Sequence, residues 1–104
     1  MSNPISLTAK LRLLPEVDLQ QGLEAISQFC ADMRSELGCG FAHAMQEASD
    51  PRSVILWEQY RDAEAQQAHF AAEHTQAFIE SGITELVSVS EGTLISTDYL
   101  GAQS

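Results

Sequence analysis

Lysine is almost missing from this chain. Lys10 is the only one, and with Arg12, Arg34, Arg52 and Arg61 it stands against 15 acidic residues, a formal net charge of −10. Nucleic acid is held largely by basic side chains that release phosphate counterions. Neither nucleic acid nor an anionic membrane is therefore an expected partner. Cysteine is scarce too. Cys30 and Cys39 form no CxxC pair, and the reading is two small buried hydrophobes in a reduced chain rather than a disulfide scaffold or redox centre. No apolar run approaches the roughly 18–20 residues of a membrane helix. The start, Met1-Ser2-Asn3-Pro4, has neither the basic nor the apolar region of a secretory signal. A cytoplasmic protein is expected. Phosphate-binding glycine loops, nucleophile elbows and haem-attachment motifs are also missing from the sequence.

What is there is an ordinary globular composition. The 104 residues are 44% hydrophobic, enough for one domain spanning 1–104 with a modest core. Ile5 to Leu13 alternates apolar on odd and polar on even numbers, which predicts a half-buried strand ended by Pro15. Leu19, Leu23, Ile26, Cys30, Met33 and Leu37 then follow at spacings of 4, 3, 4, 3 and 4, one stripe of a helix with Asp18 as N-cap and Gly38 as stop. Gly38 to Gln46 reads as a second strand with Cys39, Phe41, His43 and Met45 on one face. Residues 47–52 are turn chemistry. Ser53 to Tyr60 is the strongest strand, with Val54, Leu56, Glu58 and Tyr60 on one face and Ile55, Trp57 and Gln59 on the other. Both faces are substantially apolar, the mark of a central strand.

Asp62 caps a second helix carrying Ala65, Ala68, His69 and Ala72 on one side, and Thr75–Ile83 continues it. Residues 84–90 stand between two readings. Ile83, Leu86 and Val87 keep helical spacing, whereas Val87-Ser88-Val89-Ser90 has strand composition. Glu91-Gly92 is a turn, and Thr93 to Tyr99 is the expected last strand. The order strand, helix, strand, strand, helix, strand predicts an α+β, ferredoxin-like βαββαβ fold, an antiparallel sheet with both helices on one face. The other face, with Trp57 and Ile55, is too apolar to stand bare, so a homodimer is expected.

The third strand and second helix carry a recognisable pattern. Leu56-Trp57-Glu58-Gln59-Tyr60-Arg61-Asp62, then Ala65, Ala68-His69, His74 and Phe78, resembles the antibiotic biosynthesis monooxygenase (ABM) family. Glu58, Tyr60, Asp62, His69, His74 and Phe78 match its motif position by position, and the resemblance spans about residues 5–99. It implies a dimeric α+β barrel with a substrate cavity in each subunit between sheet and helices. It also implies a cofactor-independent monooxygenase that oxidises quinol- or anthrone-type aromatics with dioxygen, or a non-catalytic small-molecule-binding module of the same fold. Haem-degrading members carry an Asn in the first strand, a Trp on the second helix and a haem-ligating His. The corresponding positions here are Thr8 or Lys10, His69 and the vicinity of Ile79, so haem is not expected.

Flavin-free, metal-free oxygenation needs a base to make the substrate electron-rich, and imidazole, titrating near ~6.5, suits that task. His69 is the candidate base, or a structural histidine bonded to Glu58. Glu58, on a half-buried face, orients His69, acts as the base itself, or anchors the helix. Tyr60, Trp57, His43, His74 and Phe78 are candidate substrate contacts, Trp57 being favoured for the dimer interface. Five residues apart on a continuous helix, His69 and His74 diverge by about 140° and do not converge on an ion, so no metal is expected.

Overall fold

The structure is a computed structural model that describes residues 4–95. Seven elements follow in order: β1 (Ile5–Leu13), α1 (Leu19–Arg34), β2 (Cys39–Glu47), β3 (Asp50–Tyr60), α2 (Ala63–Ala71), α3 (Glu73–Ser81) and β4 (Thr84–Gly92). The four strands form one antiparallel sheet in the order β2-β3-β1-β4. This is the ferredoxin-like α+β arrangement that the sequence pattern predicts. Period two in β1 works as expected, with Leu7, Ala9, Leu11 and Leu13 buried. On β3 the buried face is Val54, Leu56, Glu58 and Tyr60, while Trp57 on the other face is 44% exposed.

Helix α1 begins where expected, the Asp18 carboxylate accepting from the Gln21 amide at 3.0 Å. Its buried side is Gly22, Ile26, Phe29, Cys30 and Met33, packed on Leu11, Leu13, Val54 and Leu56 of the sheet. The stripe is shorter than the spacing predicts. The helix stops at Arg34 with Ser35 as C-cap, and Leu37 is almost fully exposed. Gly38 is therefore not a helix stop. A Cβ there would lie 2.3 Å from the Ala65 Cβ, so Gly38 lets α2 approach the start of β2.

Four further expectations are corrected. A register shift between Cys39 and Phe41 puts Cys39 opposite Tyr60 on the helix side, with Ala42 opposite Glu58. Phe41, His43 and Met45 remain on the open side, opposite Gln59, Trp57 and Ile55. The second helix is two helices. Ala72, at φ −65° and ψ 145°, interrupts it, and the Gln76 side-chain Nε2 donates to the freed Phe70 carbonyl at 2.6 Å. The last strand is Thr84–Gly92, so Glu91-Gly92 is not a turn and Thr93–Ile95 lies beyond the strand. The remainder of the predicted final strand, 96–99, falls outside the described residues. In β4, strand composition outweighs helical spacing because Gly82, at φ 66°, caps α3 in the left-handed conformation and releases the chain. Residues 47–52 contain only a two-residue turn, Ala48-Ser49.

Candidate functional site

The sheet supplies one wall of the site. Glu58 and Tyr60 stand two apart on β3 and so share its helix-facing side. Both are buried, and the Tyr60 hydroxyl donates to Glu58 Oε1 at 2.7 Å. Burial holds the Glu58 carboxyl above the ordinary carboxylate range, with Tyr60 and His69 pulling the other way. Burial, together with the Glu58 charge, pushes the Tyr60 phenol far up, so it remains an O–H donor.

The helices supply the other wall. His69, near the end of α2, is buried with its ring 5.0 Å from that of Tyr60. Its Nε2 lies 3.9 Å from Glu58 Oε1, too long for a hydrogen bond. The closer partner is Glu36, in the turn after α1, whose Oε2 is 2.8 Å from His69 Nδ1. Thr75 Oγ1 is 3.3 Å from the same nitrogen. An Nδ1–H donated to Glu36 leaves the lone pair of the neutral ring on Nε2, on the Glu58 side. Residues from a loop, a helix and a strand thus meet as two bonded pairs, Glu36 with His69 and Tyr60 with Glu58, which face each other across 3.9 Å.

Between helices and sheet lies a cavity of about 510 Å³, whose polar lining residues are Glu58, His69, Thr75, Gln66, Thr84 and Glu91. Leu7, Leu56, Phe29 and Phe78 supply apolar wall; Phe29 and Phe78 stack with centroids 4.3 Å apart. Helices α2 and α3 do not cover β4, so Phe70, Ile79, Leu86 and Val89 line the cavity while each is at least half exposed. They form an apolar mouth. A mainly apolar lining around a space of this volume suits a small, mainly apolar molecule.

Of the residues singled out from sequence, the structure gathers Glu58, His69 and Phe78 at this cavity. Tyr60 lies behind Glu58 and reaches Met33 Sδ at 3.7 Å; it does not line the space. Trp57 and His43 pair across β2 and β3 on the opposite side of the sheet, His43 stacking on Phe41. His74 also lies off the cavity, its Nε2 2.5 Å from Glu36 Oε2. That contact corrects the expected divergence of His69 and His74. The break at Ala72 reorients α3, and both imidazoles meet one carboxylate oxygen. Sequence reasoning missed Glu36, which lies off the apolar stripe in the last turn of the predicted helix and so reads there as solvated surface.

Fold and cavity define a class: a small ferredoxin-like α+β protein enclosing an apolar space with a buried histidine and carboxylate in its wall. The sequence profile of the family described as antibiotic biosynthesis monooxygenase matches residues 4–81. The chain belongs to this ABM family. It is 28% identical over 80 residues to the uncharacterized protein YjcS of Bacillus subtilis strain 168, covering 77% of this chain and 76% of that one. Solved structures share the fold. PA3566 from Pseudomonas aeruginosa superimposes with a TM-score of 0.81 at 23% identity, over 92% of this chain and 98% of that one. An antibiotic biosynthesis monooxygenase superimposes at 0.77 with 18% identity, over 88% and 99%.

Proposed function

We propose that the protein is a cofactor-independent, cytoplasmic monooxygenase that oxidises a quinol- or anthrone-type aromatic with dioxygen. The observation that carries this reading is the position of His69: buried in the wall of an apolar cavity, with Nδ1 on the Glu36 carboxylate and Nε2 free to accept a proton. In the proposed step Nε2 takes a proton from the phenol or the activated carbon. The resulting anion passes an electron to dioxygen, and the two radicals combine at carbon. Loss of water from the hydroperoxide leaves a carbonyl. A CH2 group and O2 become C=O and H2O, so the substrate gives four electrons and dioxygen accepts four. Glu36 positions the ring and fixes its tautomer; Glu58, whose carboxyl burial raises above the ordinary range, faces the reacting end of the substrate. Phe78 and Phe29, stacked on each other, add apolar surface to the wall that meets the aromatic rings.

An oxygen electrode with a panel of hydroquinones and anthrones tests this directly. His69→Ala is expected to lower oxygen uptake by roughly 10²–10⁴-fold, the usual contribution of a general base, in a protein that keeps its fold by circular dichroism. Undiminished uptake in the folded variant overturns the role of His69. Thermal stabilisation by these aromatics without oxygen consumption by the parent protein favours a binding module instead.

A further inference from the structure

We propose that Glu36, His69 and His74 form a divalent-metal site, with ligand chemistry suited to Zn2+, on the side of His69 turned away from the cavity. Two imidazole nitrogens and a carboxylate oxygen, one from each residue, lie within 4.8 Å of one another. They come from three separate elements: the turn after α1, the end of α2 and the first turn of α3. A two-histidine, one-carboxylate set is a standard environment for zinc, with the fourth position open to water.

Two further observations point to an ion rather than to a closed hydrogen-bond cluster. Glu36 Oε2 takes both histidine contacts, while Oε1 is buried with no hydrogen-bond partner among the described residues. A carboxylate held by one oxygen can turn without giving up a bond at the other. That freedom matters because Oε2 now sits at hydrogen-bond distance from both rings, and ligands around tetrahedral zinc stand about 3.4 Å apart. The second observation is behind the ring. A metal-bound histidine commonly donates its other N–H to a carboxylate; Glu58 Oε1 is the group facing His69 Nε2, at 3.9 Å, beyond hydrogen-bond length as the ring now stands. An imidazole becomes a ligand when its proton sits on the far nitrogen, leaving the lone pair on the near one. A chain of net charge −10 also raises the local concentration of cations.

Neither Glu36 nor His74 lines the cavity, so the ion has no contact with its contents. It would tie α3, whose first residue has no side-chain cap, to α2 and to the turn after α1. It would also keep a proton on Nε2. Where the preceding reading of His69 as a base holds, metal-loaded protein is the inactive form; metal binding itself does not depend on that reading.

The test uses chelator-treated full-length protein titrated with Co2+ and Zn2+, read without reference to turnover. Expected are the visible ligand-field bands of low-coordinate cobalt saturating at about one ion per chain, their displacement by Zn2+, and a rise in Tm of several degrees. His74→Ala and Glu36→Gln should each weaken binding at least about tenfold; both replace groups at the edge of the core, and circular dichroism verifies their fold. No saturable binding overturns the site. Binding that survives in both folded variants with undiminished affinity places the ion elsewhere and overturns it equally.

Discussion

Cys39 is half-buried with its Sγ 3.2 Å from the Phe41 carbonyl, and its surroundings disfavour the thiolate. Burial, reinforced by Glu36 and Glu58, pushes the thiol up to about 11. Burial also raises the Cys30 thiol and the Tyr60 phenol. The expected chemical outcome is an inert thiol. At pH 8 the thiolate population of Cys39 is roughly two orders of magnitude below that of an ordinary cysteine near ~8.5, and alkylation in the folded protein should be slowed by at least that factor. Stability carries the same sign. As pH rises above the ordinary thiol value the unfolded chain releases protons that the folded chain keeps, so the unfolded state gains and folding stability falls. Urea midpoints measured from pH 7 to 10 should decline, and Cys39→Ser should show a shallower decline than the parent. Parallel slopes, or fast alkylation of the native protein, contradict this account of the thiol.

Among elements, the contact between α2 and the start of β2 makes the sharpest demand. Gly38 is in place because the Ala65 Cβ occupies the space its own Cβ would need, 2.3 Å away, and its carbonyl accepts from the Arg61 amide at 2.8 Å. Gly38→Ala forces α2 outward and should cost about 1–3 kcal/mol, the usual range for overpacking, measured as a drop in denaturant midpoint with an unchanged slope. An unaffected midpoint shows that α2 yields freely. The same contact illustrates what the sequence made legible. Strand periodicity located β1, β2 and β3 and put Glu58 on the buried face, and the Asp18 and Asp62 caps located two helix starts. Long-range relations were not legible. Gly38 resembles a helix stop until Ala65 is seen against it, and no proline or glycine marks the break at Ala72. Glu36 becomes a site residue only because that break turns His74 back toward it.

For the whole molecule, the unresolved balance is between an apolar sheet face and a large like charge. Phe41, Met45, Ile55 and Trp57 lie together on the side away from the helices, in register across β2 and β3, with Met45 and Trp57 nearly half exposed. Covering that strip with a second copy removes apolar area from water at roughly 25 cal/mol per Å², whereas two chains each carrying −10 repel. The proposed homodimer should therefore tighten as salt rises, because screening reduces the repulsion and leaves the apolar contact intact. Sedimentation equilibrium at micromolar concentration is expected to give twice the chain mass, with dissociation favoured below about 10 mM salt. Trp57 is the only tryptophan, so its emission should shift to the blue as concentration drives association. Trp57→Glu puts a carboxylate into the strip and should raise the dissociation constant at least tenfold, since a buried, unpaired charge costs several kcal/mol. A single-chain mass across the whole salt range, or a Trp57→Glu protein as dimeric as its parent, shows that this face is not where two copies meet.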